Sequence, residues 1–244
     1  MIKRLNHPRS VCCECKLCKQ HPVNDAMIVT IDGPAGAGKS SVARALAKRL
    51  GFDFLDTGAM YRAVAWAAID SGVDIEDAMA VVEVAKRIKI EFQDDTLFVD
   101  GRDVSQEIRS TQITDNVRFA AGNEDVRTLL VEQQRRIGTE ANNLVTEGRD
   151  QGTVVFPQAE CKIFLTATAE ERARRRYRQL ISKGVEVTFA DVLDSQNRRD
   201  AGDQSRDVAP LAKAPDAIEV YSDHMTLDQV LTHLQWLVES KSPA

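Results

Sequence analysis

Long apolar runs are missing from this 244-residue chain. The longest, residues 63–69, falls far short of the roughly 20 residues that a membrane span requires. The first 20 residues hold no apolar segment of the kind that directs secretion, so the expected setting is soluble and cytoplasmic. An excess of positive charge is missing too. Lys and Arg number 32 against 37 Asp and Glu, a net charge of −5, which speaks against a protein that wraps duplex nucleic acid. Cysteine is scarce outside one stretch: Cys12, Cys13, Cys15 and Cys18 stand together and only Cys161 lies elsewhere. A disulfide framework would spread its cysteines, so the body of the chain reads as intracellular. Residues 1–26 read as a disordered extension or a start placed too far upstream. The alternative is a metal knuckle made by the clustered cysteines with His7 or His21. There are no repeats and no low-complexity tracts.

What is present is an alternation of short β-branched runs with helical patterns. Strands are expected at residues 26–32, 52–55, 144–146, 162–166 and 217–221. Helices are expected at 40–50, from an N-cap at Thr57 to 69, at 76–87, 111–121, 125–141, 189–198 and 227–238. Thr168-x-x-Glu171 has capping-box spacing and should start a further helix reaching about 182. Residues 88–92, 96–99 and 102–104 form three short strands joined at Asp94-Asp95 and Asp100-Gly101, an antiparallel insert. Residues 200–211 are polar, carry Gly and Pro, and read as loop. The expected fold is α/β: a P-loop-type parallel five-stranded sheet flanked by helices, with a small antiparallel subdomain and a helical lid.

Gly33-Pro-Ala-Gly-Ala-Gly38-Lys39-Ser40 fits G-x-x-x-x-G-K-[ST] between an expected strand and an expected helix. Glycines let successive backbone N–H groups turn inward around phosphate oxygens, and the helix N-terminus adds partial positive charge. Lys39 then reaches the β- and γ-phosphates, and the Ser40 hydroxyl is a Mg²⁺ ligand. The candidate ATP site is thus Gly33, Pro34, Ala35, Gly36, Ala37, Gly38, Lys39, Ser40 and Ser41. No Asn-Lys-x-Asp guanine signature accompanies it, and no strand ends in consecutive acidic residues, as in motor or transporter ATPases. Arginines stand instead where a second phosphorylated substrate would sit.

Five ordered motifs carry a specific resemblance: Thr30–Ser40, Leu55-Asp-Thr-Gly-Ala-Met-Tyr-Arg62, Asp103-Val-Ser-Gln-Glu-Ile-Arg109, Glu147-Gly-Arg-Asp-Gln-Gly-Thr-Val-Val-Phe-Pro157, and Arg199…Asp203…Arg206…Ala209-Pro-Leu211. From about Met27 to the C-terminus the chain resembles bacterial cytidylate (CMP) kinases. The resemblance implies a nucleoside-monophosphate kinase with a monophosphate-binding insert at about 57–125 and a lid at about 180–208. It implies a monomer that turns ATP plus CMP or dCMP into ADP plus CDP or dCDP with Mg²⁺. It puts Thr57, Tyr61, Arg62 and Arg149 around the CMP phosphate side, Arg127 and Asp150 at the base, Asp203 at the sugar, and Arg199 and Arg206 over the transferring phosphates. Lys39, Arg149, Arg199 and Arg206 are then the catalytic cations.

The chemistry is coherent with those types. Guanidinium forks suit phosphate. Cytosine offers an amino donor to a carboxylate and acceptors to an arginine, whereas uracil would leave buried groups unpaired at about 1–3 kcal/mol or more. Read from residues alone, Arg62 is equally a solvated helix arginine and Arg149 a salt-bridge partner of Asp150. The family's base-contacting serine falls at Arg118, a departure. Of Arg172, Arg174, Arg175, Arg176 and Arg178, one helix can aim only one or two at a site; Arg172 and Arg176 share a face, Arg176 is the candidate, and the rest are expected to be solvated beside Glu170 and Glu171. Two rivals stay open: a P-loop kinase of another small acceptor (UMP, shikimate or gluconate), and a nucleotide-sensing or RNA-binding module built on Arg172–Arg178.

Overall fold

The computed structural model describes residues 26–93, 96–182, 184–205 and 208–241. The Cys-rich stretch, the Asp94-Asp95 turn and Arg206 lie outside the described residues. Five strands form one parallel sheet: β1 (Ile28–Asp32), β2 (Asp53–Asp56), β6 (Leu144–Glu147), β7 (Cys161–Thr166) and β8 (Ile218–Tyr221), in the order β2-β6-β1-β7-β8. The register pairs Ile28 with Leu144 and Val29 with Cys161. Between them in sequence, β3 (Ile90–Gln93), β4 (Thr96–Val99) and β5 (Arg102–Asp103) make the separate antiparallel sheet. Its second turn has Asp100 at φ 49° and Gly101 at φ 80°, the left-handed pair that a two-residue hairpin requires.

Both faces of the central strands are covered, β1 and β6 being almost wholly buried, which is why these strands read as short runs without a clean in–out alternation. On one face Val29, Ile31, Val145 and Ile163 pack on Leu46 of α1 (Lys39–Leu50) and Leu234 of α8 (Leu227–Glu239). On the other, Leu55 and Leu144 join α2 (Thr57–Asp70), α3 (Ala78–Arg87), α4 (Thr111–Gly122), α5 (Glu124–Glu140) and the small sheet in a second core. Each fully buried Leu or Ile contributes on the order of 1.5–3 kcal/mol of transfer free energy.

Several elements differ from the sequence expectation for local reasons. Asp56, not Thr57, caps α2: its carboxylate accepts from the Ala59 N–H at 2.7 Å, and Thr57 is the first helical residue. Thr168 caps α6 (Ala169–Ile181), but Glu171 does not return the bond. Asp223 takes the Thr168 N–H at 3.0 Å, leaving Glu171 to pair with Arg174 and Arg175. The final helix before β8, α7, runs Phe189–Gln204, so residues 200–204 are helix rather than loop. A single π-helical turn at Gln151–Val155 follows β6, in a stretch that had no sequence assignment.

Candidate active site

The loop after β1 goes to one side of the sheet and the loop after β6 to the other, so a crevice opens between these neighbouring strands. It holds a cavity of about 590 Å³. One wall is the Gly33–Ser41 loop. At Gly33, φ is 148° and a Cβ would stand 2.0 Å from the Leu165 carbonyl oxygen, so no other residue fits there. Lys39 is buried, with its Nζ donating to the Pro34 carbonyl at 2.9 Å, and the Ser40 hydroxyl donates to Glu147 Oε1 at 2.7 Å.

The facing wall comes from α2, α4, α5 and the loop after β6. Thr57, Tyr61, Arg62, Arg127, Arg149 and Asp150 all line the cavity. Arg62 Nη2 lies 3.3 Å from both Asp56 carboxylate oxygens, and Arg109 reaches the same carboxylate at 3.7 Å. Arg127 and Asp150, both buried, form an ion pair at the back, with the Arg127 guanidinium 5.6 Å from the Tyr61 ring centre. Asp150 therefore pairs with Arg127 and not with its neighbour Arg149. The Thr57 hydroxyl donates to the Glu147 carbonyl at 2.6 Å, which fixes the loop after β6 against α2.

The third wall is helical. Arg199 and Asp203 of α7 and Arg176 of α6 line the cavity, and Arg149 Nε donates to Asp203 Oδ2 at 2.8 Å. Seven arginines thus line the cavity, Arg62, Arg109, Arg127, Arg149, Arg175, Arg176 and Arg199, of which Arg127 is paired with Asp150. Gly33, Pro34 and Ala37 lie behind the lining rather than on it. Behind the phosphate loop, Arg172 is buried and donates to the Ala35 carbonyl at 2.8 Å and to Asp200 at 2.5 Å, while Asp200 accepts from the Ala35 N–H at 3.3 Å. Arg175 is not solvated as expected: it reaches Ser222 and the Ala37 carbonyl.

The sequence profile described as cytidylate kinase matches residues 29–240. The chain belongs to the cytidylate kinase family. A cytidylate kinase from Rhodopirellula baltica is 51% identical over 212 residues, covering 87% of this chain and 92% of that protein. One from Caldanaerobacter subterraneus subsp. tengcongensis is 45% identical over 209 residues, covering 86% and 93%.

Charge burial follows from this arrangement of a cytidylate kinase family site. Burial, with Arg149 next, lowers the Lys39 pKa, and Glu147 and Asp32 oppose the shift. Burial, with Asp56 next, raises Glu147. Arg199 is lowered by burial and then by Arg149. Asp32, at the end of β1, is pushed up to about 6 chiefly by burial, against hydrogen bonds from the Gly152 and Gln151 N–H groups. Arg118, the position at which the sequence resemblance expected a serine, does not line the cavity, and its guanidinium lies 4.7 Å over the Phe119 ring; Thr114 and Val117 of the same helix line it instead.

Glu147, Asp32 and Arg109 were not among the residues picked from sequence. Glu147 had one available signal, a lone acid at the end of the buried strand Leu-Val-Thr-Glu. The donor set of Ser40 hydroxyl and Glu147 carboxylate consists of hard oxygens, which suit Mg²⁺. No group of three or more His, Cys, Asp or Glu among the described residues makes an all-protein metal cage. No helix among the described residues is long and apolar enough to cross a membrane.

Proposed function

We propose that this chain transfers the γ-phosphoryl group of ATP to CMP and dCMP, as a monomer. The observation that carries the acceptor assignment is the buried Arg127–Asp150 pair at the back of a cavity whose mouth is lined with arginine. Asp150 accepts from the cytosine amino group, and Arg127 donates to its ring acceptors. Arg62 and Arg149 grip the acceptor phosphate, with Tyr61 and Thr57 beside them. The Gly33–Ser41 amides cradle the donor phosphates, and Lys39 swings from the Pro34 carbonyl to their oxygens. Mg²⁺ would be held by Ser40, with Glu147 orienting that hydroxyl, and would supply charge neutralisation on the donor phosphates. Arg199 and, by the family resemblance, Arg206 meet the charge of the transferring group, and Asp203 reaches the sugar from α7. Two anionic phosphates repel one another, so this chemistry needs cations in place far more than it needs covalent help.

Residues 57–125 serve as the monophosphate-binding insert, and 180–208 as the lid that keeps water from the phosphoryl group. ADP release measured with CMP, dCMP, UMP and AMP as acceptors tests the reading. CMP and dCMP should exceed UMP by about tenfold or more in kcat/KM. A preference for AMP or UMP, or turnover of shikimate or gluconate, would overturn it.

A further inference from the structure

The acceptor-side loop after β6 is oriented by a residue of the donor-side strand. Asp32 ends β1 and immediately precedes Gly33; its carboxylate interacts electrostatically with Lys39 and hydrogen-bonds across to the loop after β6. Its two carboxylate oxygens accept the Gln151 N–H at 2.9 Å and the Gly152 N–H at 2.7 Å. These are the first two amides of the π-helical turn. The turn closes on Asp150, whose carbonyl accepts from Val154 at 2.9 Å and Val155 at 3.2 Å. The peptide joining Asp150 to Gln151 is therefore gripped from both sides, by the turn at its neighbour's carbonyl and by Asp32 at its N–H. Other contacts tie the ends of the segment: Gly148 N–H to the Ile31 carbonyl at 3.2 Å, and the Gln151 side chain to Thr146 and Gln134. Among the described residues, Asp32 accepts both of these amides, which follow Arg149 and Asp150 directly in the chain, while Asp203 and Arg127 hold the far ends of those two side chains.

We propose that Asp32 is a positioning residue for the acceptor, a carboxylate on the ATP strand that aims the Arg149–Asp150 pair at the monophosphate and its base. This rests on the CMP kinase reading. A carboxylate accepting two adjacent amides fixes a peptide plane as a helix cap does, with charge-assisted bonds. Gly152 lets the backbone lie close beneath β1 and β7, since a Cβ there would stand 3.0 Å from Thr30 Oγ1 and 3.3 Å from Lys162 Cδ. In Asp32→Asn the amide nitrogen would face one of the two N–H donors, and the loop must turn.

Steady-state kinetics on Asp32→Asn, with CMP and UMP as acceptors, and direct binding of an ATP analogue make the test. Displacing a reactive group by about 1 Å costs on the order of a hundredfold, so kcat/KM for CMP should fall about that far, KM for CMP should rise, and the CMP-over-UMP preference should shrink. ATP-analogue affinity should fall far less than kcat/KM for CMP, because the phosphate-loop amides are untouched and only the support that Asp32 lends to the Lys39 charge is lost. Gly152→Ala keeps Asp32 but presses its Cβ on Thr30 Oγ1 at 3.0 Å and Lys162 Cδ at 3.3 Å, which displaces the Gly152 amide that Asp32 accepts; it should give a milder defect of the same kind and carries the test if Asp32→Asn does not fold. A lower melting temperature with unchanged KM and unchanged CMP-over-UMP ratio would overturn the proposal, as would loss of ATP-analogue binding in step with activity. If the wild-type protein makes no CDP, the acceptor reading falls and takes this inference with it; if it makes CDP and both variants match it, only the inference falls.

Discussion

A carboxyl group that is 4% exposed and sits among amides is a titration site with a readable sign. Asp32 has a native pKa of about 6 against 3.8 for a free side chain. The native state therefore takes up a proton between pH 6 and 4 that the unfolded chain does not, and this group's contribution favours folding as the pH falls through that window. Asp32→Asn has no such proton to bind. The stability gap between wild type and variant, read from urea unfolding, should thus widen by about 2 kcal/mol between pH 7.5 and 4.5. A gap that stays constant or narrows on acidification would mean that Asp32 is ionised throughout. The same residue explains a limit of sequence reading. Gly33–Ser40 announces itself because its chemistry is local, whereas the partners of Asp32 lie 119 and 120 positions away and no spacing marks them.

At the scale of elements, the strand–helix alternation was legible because burial on both faces of a parallel sheet writes itself as short apolar runs. The antiparallel insert was legible because Asp100-Gly101 demands a left-handed turn. The end of α7 was not. Asp200-Ala-Gly-Asp203 is poor in helix formers, and what keeps it helical is tertiary: Asp200 bonds the Ala35 N–H 165 residues away and Asp203 holds Arg149 across 54. Thr57 was misread as a cap for a similar reason, since its hydroxyl serves the Glu147 carbonyl while Asp56 caps the helix. The Arg172–Asp200 pair, which clasps both backbone groups of Ala35, makes α6 and α7 a brace for the phosphate loop. Arg172→Met leaves Asp200 buried without its partner. That should cost about 3–5 kcal/mol in urea unfolding and raise KM for ATP more than KM for CMP. An equal rise in both would remove the brace from the account of ATP binding.

At the scale of the whole molecule, the match to the cytidylate kinase family begins at residue 29, and the Met27 N–H already bonds Asn143 Oδ1 at 2.9 Å. A chain lacking residues 1–25 should keep kcat/KM for CMP within about twofold. Loss of activity together with stoichiometric zinc would instead give the clustered cysteines a metal role. The net charge of −5 belongs to the surface at large, while the crevice gathers Arg62, Arg149, Arg176 and Arg199, a local field that draws polyanions inward. That crowding has a practical side. Like charges held together oppose the fold they are part of: the Arg199 pKa is depressed first by burial and then by Arg149, with Arg62 and Arg176 adding to it. Any multivalent anion that settles among them relieves the repulsion and binds only the folded chain. On the shelf, the protein should outlast itself in phosphate or sulfate compared with a chloride buffer of equal ionic strength, its endurance set by what is dissolved around it.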